Sequence, residues 1–109
     1  MKQVNNQEEI YEYISTKDAV LIYFSGEACS VCKDLKPKIE KAILENFPKI
    51  ETYEIKSDLY KEIASSFSVF SIPTIVVFFD SKEFKRYGRN ISIYQFIDEL
   101  KRPYNLFMD

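Results

Sequence analysis

The sequence predicts an α/β chain, a central mixed sheet of four or five strands flanked by helices on both faces. Three observations carry this. The apolar runs over 19–24 and Thr74–Phe79 lack alternation, as strands covered on both faces do. Segments with apolar residues at helical spacing lie between the strand-like segments, so the strands return through helical crossovers. Only two glycines occur in 109 residues, both near predicted element ends, which leaves regular elements and short loops. No repeat or linker divides the chain, so residues 1–109 read as one domain able to bury roughly two-thirds of its unfolded surface.

In order along the chain, Val4 belongs to a short edge strand. Asn6, with Glu9 as its reciprocal partner, caps a first helix over 7–15 whose buried stripe is Ile10 and Ile14. Residues 19–24 form a strand that Ser25-Gly26 ends. A long helix follows over Ser30–Asn46, with Val31, Leu35, Ile39, Ile43 and Phe47 at four-residue steps. Pro37 inside it removes a backbone donor and is expected to kink it. Its lysines 33, 36, 38 and 41 read as a solvated face. Glu51–Lys56 is the next strand, and Asp58 caps a short helix carrying Leu59, Ile63 and Phe67. Thr74–Phe79 turns at Asp80-Ser81-Lys82 into a strand over 83–87, a hairpin that Gly88 closes. Ser92 and Gln95 make the capping box of a last helix with Ile93, Phe96, Ile97 and Leu100 inward and Pro103 just past its end. This order predicts a mostly parallel sheet finished by one antiparallel hairpin. The apolar tail over 104–109 either folds back on the core or reaches a partner.

Composition removes several functions. Fifteen Lys+Arg against 17 Asp+Glu, a net charge of −2, offer no basic face for nucleic acid. The absence of histidine excludes Ser–His and Cys–His nucleophile pairs, His-ligated zinc and haem on a proximal His. A polar start and apolar runs too short to cross a bilayer predict a soluble, cytoplasmic protein with no membrane partner. In a reducing compartment, a lone pair of cysteines points to redox chemistry or metal rather than to a structural staple.

That pair is Cys29-Ser30-Val31-Cys32, set between a buried strand and a helix start. Free N–H groups and the helix dipole stabilise an anion at the first cysteine, which predicts a depressed pKa and an attacking thiolate at Cys29. Cys32, one turn inside the helix, lies where it can attack a mixed disulfide at Cys29. Lys33 favours the thiolate, whereas Glu27 and Asp34 oppose it. Other readings stay open on spacing alone. The two cysteines can pack as small hydrophobes. Zinc would need ligands beyond two thiols, and copper(I) on two thiolates is chemically allowed, though no methionine flanks the pair.

At this point the chain resembles the thioredoxin family over nearly its whole length. The strand–Cys29-Ser30-Val31-Cys32–helix unit, Pro37 five residues after Cys32, and Ser71-Ile72-Pro73-Thr74 leading into a strand carry the resemblance. It implies a thioredoxin-like fold in which Pro73 is cis and faces the cysteines, and in which the backbone of Ile72 pairs with a substrate peptide. Gly88 matches the family's glycine after the hairpin. From the residues alone, Pro73 can equally close an ordinary trans turn. Phe67 and Val69 read as core, leaving Phe70 exposed as a docking residue beside Ile72.

The pattern departs from the family at several places. Ser30-Val31 replaces Gly-Pro between the cysteines, Ala28 stands where an aromatic precedes the first cysteine, and Ser25 replaces a tryptophan. The family's buried aspartate falls at Tyr23 and its lysine partner at Glu54. One expectation is that Glu54, partly desolvated and hydrogen-bonded by Tyr23, is the base that activates Cys32; the other is an edge-exposed Glu and a core Tyr.

The resulting expectation is a monomeric thiol–disulfide oxidoreductase that reduces protein disulfides, with Cys29 attacking and Cys32 resolving. Ala28, Phe70, Ile72, Pro73 and Gly88 would present substrate. No metal or organic cofactor is needed, since the dithiol holds the electrons, but a reductase or small-thiol donor is implied. Two alternatives remain: a redox-inactive peptide-binding module, and a glutathione-dependent protein with Arg89 and Lys56 as carboxylate-binding cations.

Overall fold

The computed structural model describes residues 1–108. Its elements are β1 (Lys2–Gln3), α1 (Gln7–Thr16), β2 (Ala19–Ser25), α2 (Ser30–Asn46), β3 (Glu51–Lys56), α3 (Lys61–Ser66), β4 (Thr74–Phe79), β5 (Lys82–Tyr87) and α4 (Ile93–Phe107). The strands form one sheet in the order β1-β3-β2-β4-β5. All of β2 and β4 is buried, as their unbroken apolar runs demand. Successive side chains alternate between faces. Val20, Ile22 and Phe24 join Ile10, Ile14 and Ile63 under α1 and α3. Leu21 and Tyr23 join Ile39, Ile43, Phe96 and Leu100 under α2 and α4. The sheet is therefore a three-layer core with helices on both faces.

The sheet is less parallel than expected. β3 runs parallel to both β1 and β2, but β4 is antiparallel to β2 and to β5. A strand covered on both faces reads as a continuous apolar run in either direction, so composition carries no sign for β4. The β4–β5 hairpin turns on Asp80 and Ser81, both at positive φ (52° and 67°). Two left-handed residues in succession match the twist of the strands they join. Ser81 Oγ also donates to the Ile14 carbonyl, tying this turn to the end of α1.

Three further element boundaries differ from expectation. α3 starts at Lys61 behind Tyr60, which makes no side-chain cap, and Leu59 stays exposed. Asp58 does not cap it; its carboxylate accepts from the Glu27 N–H at 2.9 Å. β1 ends at Gln3, although Val4 N–H still donates to the Glu54 carbonyl at 2.9 Å and Val4 is buried. Pro103 lies inside α4, not past its end. A proline inside a helix costs about 3 kcal/mol, and the packing of the last turns offsets this. Pro103 is buried, Tyr104 packs on Phe47 with ring centroids 5.0 Å apart, and Phe107 stacks on Phe79 at 6.0 Å. The tail thus folds back on the core as far as Met108; Asp109 lies outside the described residues. α2 likewise continues through Pro37 to Asn46.

Candidate active site

β2 delivers the chain to the C-terminal edge of the sheet at Ser25, and the loop 26–28 carries it to α2. Cys29 is the N-cap of α2, with extended backbone (φ −119°, ψ 98°). Its Sγ accepts the Cys32 N–H at 3.2 Å, the place a cap oxygen usually takes. The first intrahelical bond follows from Lys33 N–H to the Cys29 carbonyl, 3.1 Å. The two cysteines are joined as a disulfide, S–S 2.18 Å with Cα atoms 5.3 Å apart. Cys29 is half-buried and Cys32 is 2% exposed, so the first cysteine is the more accessible of the two.

The chain before β4 reaches the β2–α2 loop at Ile72. The Ile72–Pro73 bond is cis, as the resemblance implies, and Thr74 Oγ1 donates to the Ser71 carbonyl across this turn at 2.7 Å. Pro73 is buried and Ile72 half-buried, packed on the core layer that contains Cys32. Gly26 is what lets Ile72 come so near the β2–α2 loop. A Cβ at Gly26 would lie 2.6 Å from Ile72 Cδ1 and 3.3 Å from Asp58 Oδ2. Asp58, through its bond to Glu27 N–H, and Ser57 N–H, which donates to the Ser25 carbonyl at 2.7 Å, hold that loop against β3. The sequence singled out neither Gly26 nor Asp58 for this work; their signal was only that both lie in turns beside the strand ends.

The other predicted rim residues are placed as follows. Ala28 and Gly88 are exposed, and Phe70 is 83% exposed while its neighbours Phe67 and Val69 are buried. Phe70 stands as a ridge between two hollows. One, of about 380 Å³, has Ile72, Asp58 and Lys61 in its wall. The other, of about 310 Å³, has Gly88, Thr74 and Arg86. Of the two cations considered for a glutathione carboxylate, Arg89 is exposed, but Lys56 turns inward with its Nζ 3.4 Å from Glu54 Oε2.

Glu54 and Tyr23 sit on the same face of neighbouring strands, paired in register. They do not bond to each other as expected. The Tyr23 hydroxyl donates to the Cys32 carbonyl at 2.6 Å. The Glu54 carboxylate, 1% exposed, takes Lys36 Nζ at 2.7 Å, Ser25 Oγ at 2.6 Å and the Gln3 amide. Burial pushes its carboxyl up, but the bonds from Lys36 and Ser25, the Lys36 charge and Gln3 together hold it down at about 2. A carboxylate so stabilised is a weak proton acceptor at neutral pH. The expectation of an edge-exposed Glu54 is equally overturned, whereas a core Tyr23 is what the fold contains. Lys36, read as part of the solvated face, leaves that face for this pair; only its position one turn past Cys32 hinted at it.

Chemically, this arrangement carries two electrons between a dithiol and a disulfide, which puts the chain among the thiol–disulfide oxidoreductases. It belongs to the thioredoxin family, whose Thioredoxin model matches residues 1–102. It is 35% identical over 98 residues to the thioredoxin-like protein YdfQ of Bacillus subtilis, covering 90% of this chain and 87% of that one. To the thioredoxin of Chlamydia trachomatis it is 37% identical over 86 residues, covering 79% and 82%. Among solved structures, Plasmodium falciparum thioredoxin superposes with a TM-score of 0.80 at 26% identity, covering 91% of this chain and 98% of that one. Among the described residues no helix is long and apolar enough to cross a membrane.

Proposed function

We propose that the chain reduces disulfides in protein substrates, with Cys29 as nucleophile and Cys32 as resolving thiol. In the dithiol form the Cys29 thiolate attacks one sulfur of a substrate disulfide. That S–S bond breaks, one substrate thiolate leaves, and a mixed disulfide forms at Cys29. Cys32, as thiolate, then attacks Cys29 Sγ and releases the second substrate thiolate. Two electrons have passed to the substrate, and the Cys29–Cys32 disulfide remains. A thioredoxin-reductase-like protein or a small thiol returns the electrons.

The observation that carries this order of events is the asymmetry of burial, Cys29 half-buried and Cys32 2% exposed, with the Cys32 N–H on Cys29 Sγ. Ile72 and Pro73 form the backbone rim on which an extended substrate lies, with Ala28, Phe70 and Gly88 around it. Glu54 serves as a fixed anion that anchors α2 through Lys36, in place of a proton acceptor.

The test is reduction of insulin by dithiothreitol, followed by turbidity, with wild type, Cys29→Ser and Cys32→Ser. Wild type should accelerate it and both variants should not. Cys32→Ser alone should accumulate a covalent mixed disulfide through Cys29. Equal activity of the three proteins, or trapping through position 32, would refute the assignment.

A further inference from the structure

Tyr23 lies on the central strand, fully buried, and among the described residues its hydroxyl has one hydrogen-bond partner, the Cys32 carbonyl at 2.6 Å. The strand pairs Tyr23 with Glu54 on one side and with Ile75 on the other, so the ring stands on the most constrained part of the sheet. The Cys32 residue is thereby held at both ends, its N–H on Cys29 Sγ at 3.2 Å and its carbonyl on Tyr23. The same peptide unit continues the chain of bonds. The carbonyl of Cys32 and the N–H of Lys33 belong to one amide, and that N–H donates to the Cys29 carbonyl. Hydrogen bonds linked through an amide polarise one another.

We infer that Tyr23 is a positioning residue for the resolving step, holding the Cys32 backbone so that its thiolate stays within reach of Cys29 Sγ when the disulfide between them is open. This rests on the assignment of Cys32 as the resolving thiol. While the disulfide is closed, the covalent bond fixes the two sulfurs. Once a substrate occupies Cys29 in a mixed disulfide, that restraint is gone and the Tyr23 bond persists, since it does not involve either sulfur. Resolution is an intramolecular attack, and its rate follows how often the nucleophile occupies the attacking geometry. Burial, and then the negative charge of Glu54, raise the Tyr23 phenol well above its ordinary value, so the hydroxyl remains a donor wherever the thiols titrate. The effect of Tyr23 on resolution is accordingly a constant factor in pH. The charged groups on that side are Glu54 with Lys36 and Lys56; none of them contacts the Tyr23 hydroxyl among the bonds described.

The experiment mixes fully reduced protein with an aromatic disulfide whose thiolate is coloured, in a stopped-flow instrument. A first colour phase reports attack by Cys29 and a second reports resolution by Cys32. Tyr23→Phe should leave the first phase within about twofold and slow the second by about tenfold, with an unchanged pH midpoint for both. Incorporation of 4-aminophenylalanine, which restores a donor, should recover the second phase. Should Tyr23→Phe fail to fold, 4-methylphenylalanine fills the hydroxyl's volume without a donor and carries the same expectation. A second phase unchanged by loss of the donor overturns the inference, as does a shifted pH midpoint, which would make Tyr23 a proton carrier. If wild type releases only one equivalent of coloured thiolate, not two, the assignment of Cys32 itself fails, and the two failures are thereby told apart.

Discussion

Lys36 on α2 and Glu54 on β3 form an ion pair of 2.7 Å beneath the first turns of the active-site helix, with the carboxylate 1% exposed and the lysine side chain about one-third exposed. Ser25, on β2, bonds the other carboxylate oxygen. One buried anion thus ties the start of α2 to both strands that carry it. Removing one partner of a buried pair costs more than the pair contributes, because the remaining charge is left without compensation.

The pair predicts an acid dependence of stability. The Glu54 carboxyl titrates at about 2 in the folded protein against an ordinary 4.5, so between those values the unfolded chain binds more protons. Its contribution is whole above about 4.5, declines as pH falls through that interval and is gone below about 2. The amount at neutral pH is on the order of 3 kcal/mol. Urea unfolding at neutral pH and near the middle of the interval should show about half of this loss in wild type and a much smaller one in Glu54→Gln. Equal acid slopes in the two proteins would contradict it.

Gly26→Ala should act on the rim through Ile72. The added methyl meets Ile72 Cδ1 at 2.6 Å, and the flexible end of that side chain must move. Overpacking of this kind costs about 1 kcal/mol. The expected outcome is a raised KM for a peptide disulfide with an unchanged rate of Cys29 alkylation by iodoacetamide. A lowered alkylation rate would show that the loop, not the rim, had shifted.

Phe70→Ala should separate docking from stability. A side chain 83% exposed contributes little to folding, within about 0.5 kcal/mol on truncation. Phe70 lines both hollows and shares one of them with Ile72, the surface proposed above to dock a peptide. We expect KM for insulin to rise severalfold while the reduction of a small aromatic disulfide is unaffected. Parallel losses on both substrates would remove Phe70 from the docking surface.

Tyr104→Ala should destabilise the chain by about 2 kcal/mol. Its ring packs on Phe47 and its hydroxyl accepts the Lys49 N–H at 3.2 Å, closing the end of α4 over the α2–β3 loop. Thermal unfolding checks this, and redox activity of the folded variant should match wild type.

Much of this was legible from residue order. The strand entering Cys29-Ser30-Val31-Cys32, the caps Asn6 and Ser92, and the buried Thr74–Phe79 run are local features whose physics is local. What escaped was non-local. The direction of β4 depends on which strand it meets, the path of α4 through Pro103 on an aromatic surface built by Phe47 and Phe79, and the turn of Asp58 toward Glu27 on a loop 31 residues away. Tyr23 and Glu54 were located correctly as neighbours, but a shared register does not say where a hydroxyl points.

Because the sulfur of Cys29 is itself the acceptor that starts α2, every change in its oxidation state rewrites the helix's opening turn. A thiolate accepts that N–H with a full negative charge, and a sulfur bonded to another sulfur accepts it weakly. The bond that caps α2 is therefore tied to the redox state of the pair. A serine at this position keeps a cap acceptor whereas alanine removes it, so alanine alters the helix start along with reactivity and serine is the cleaner comparison.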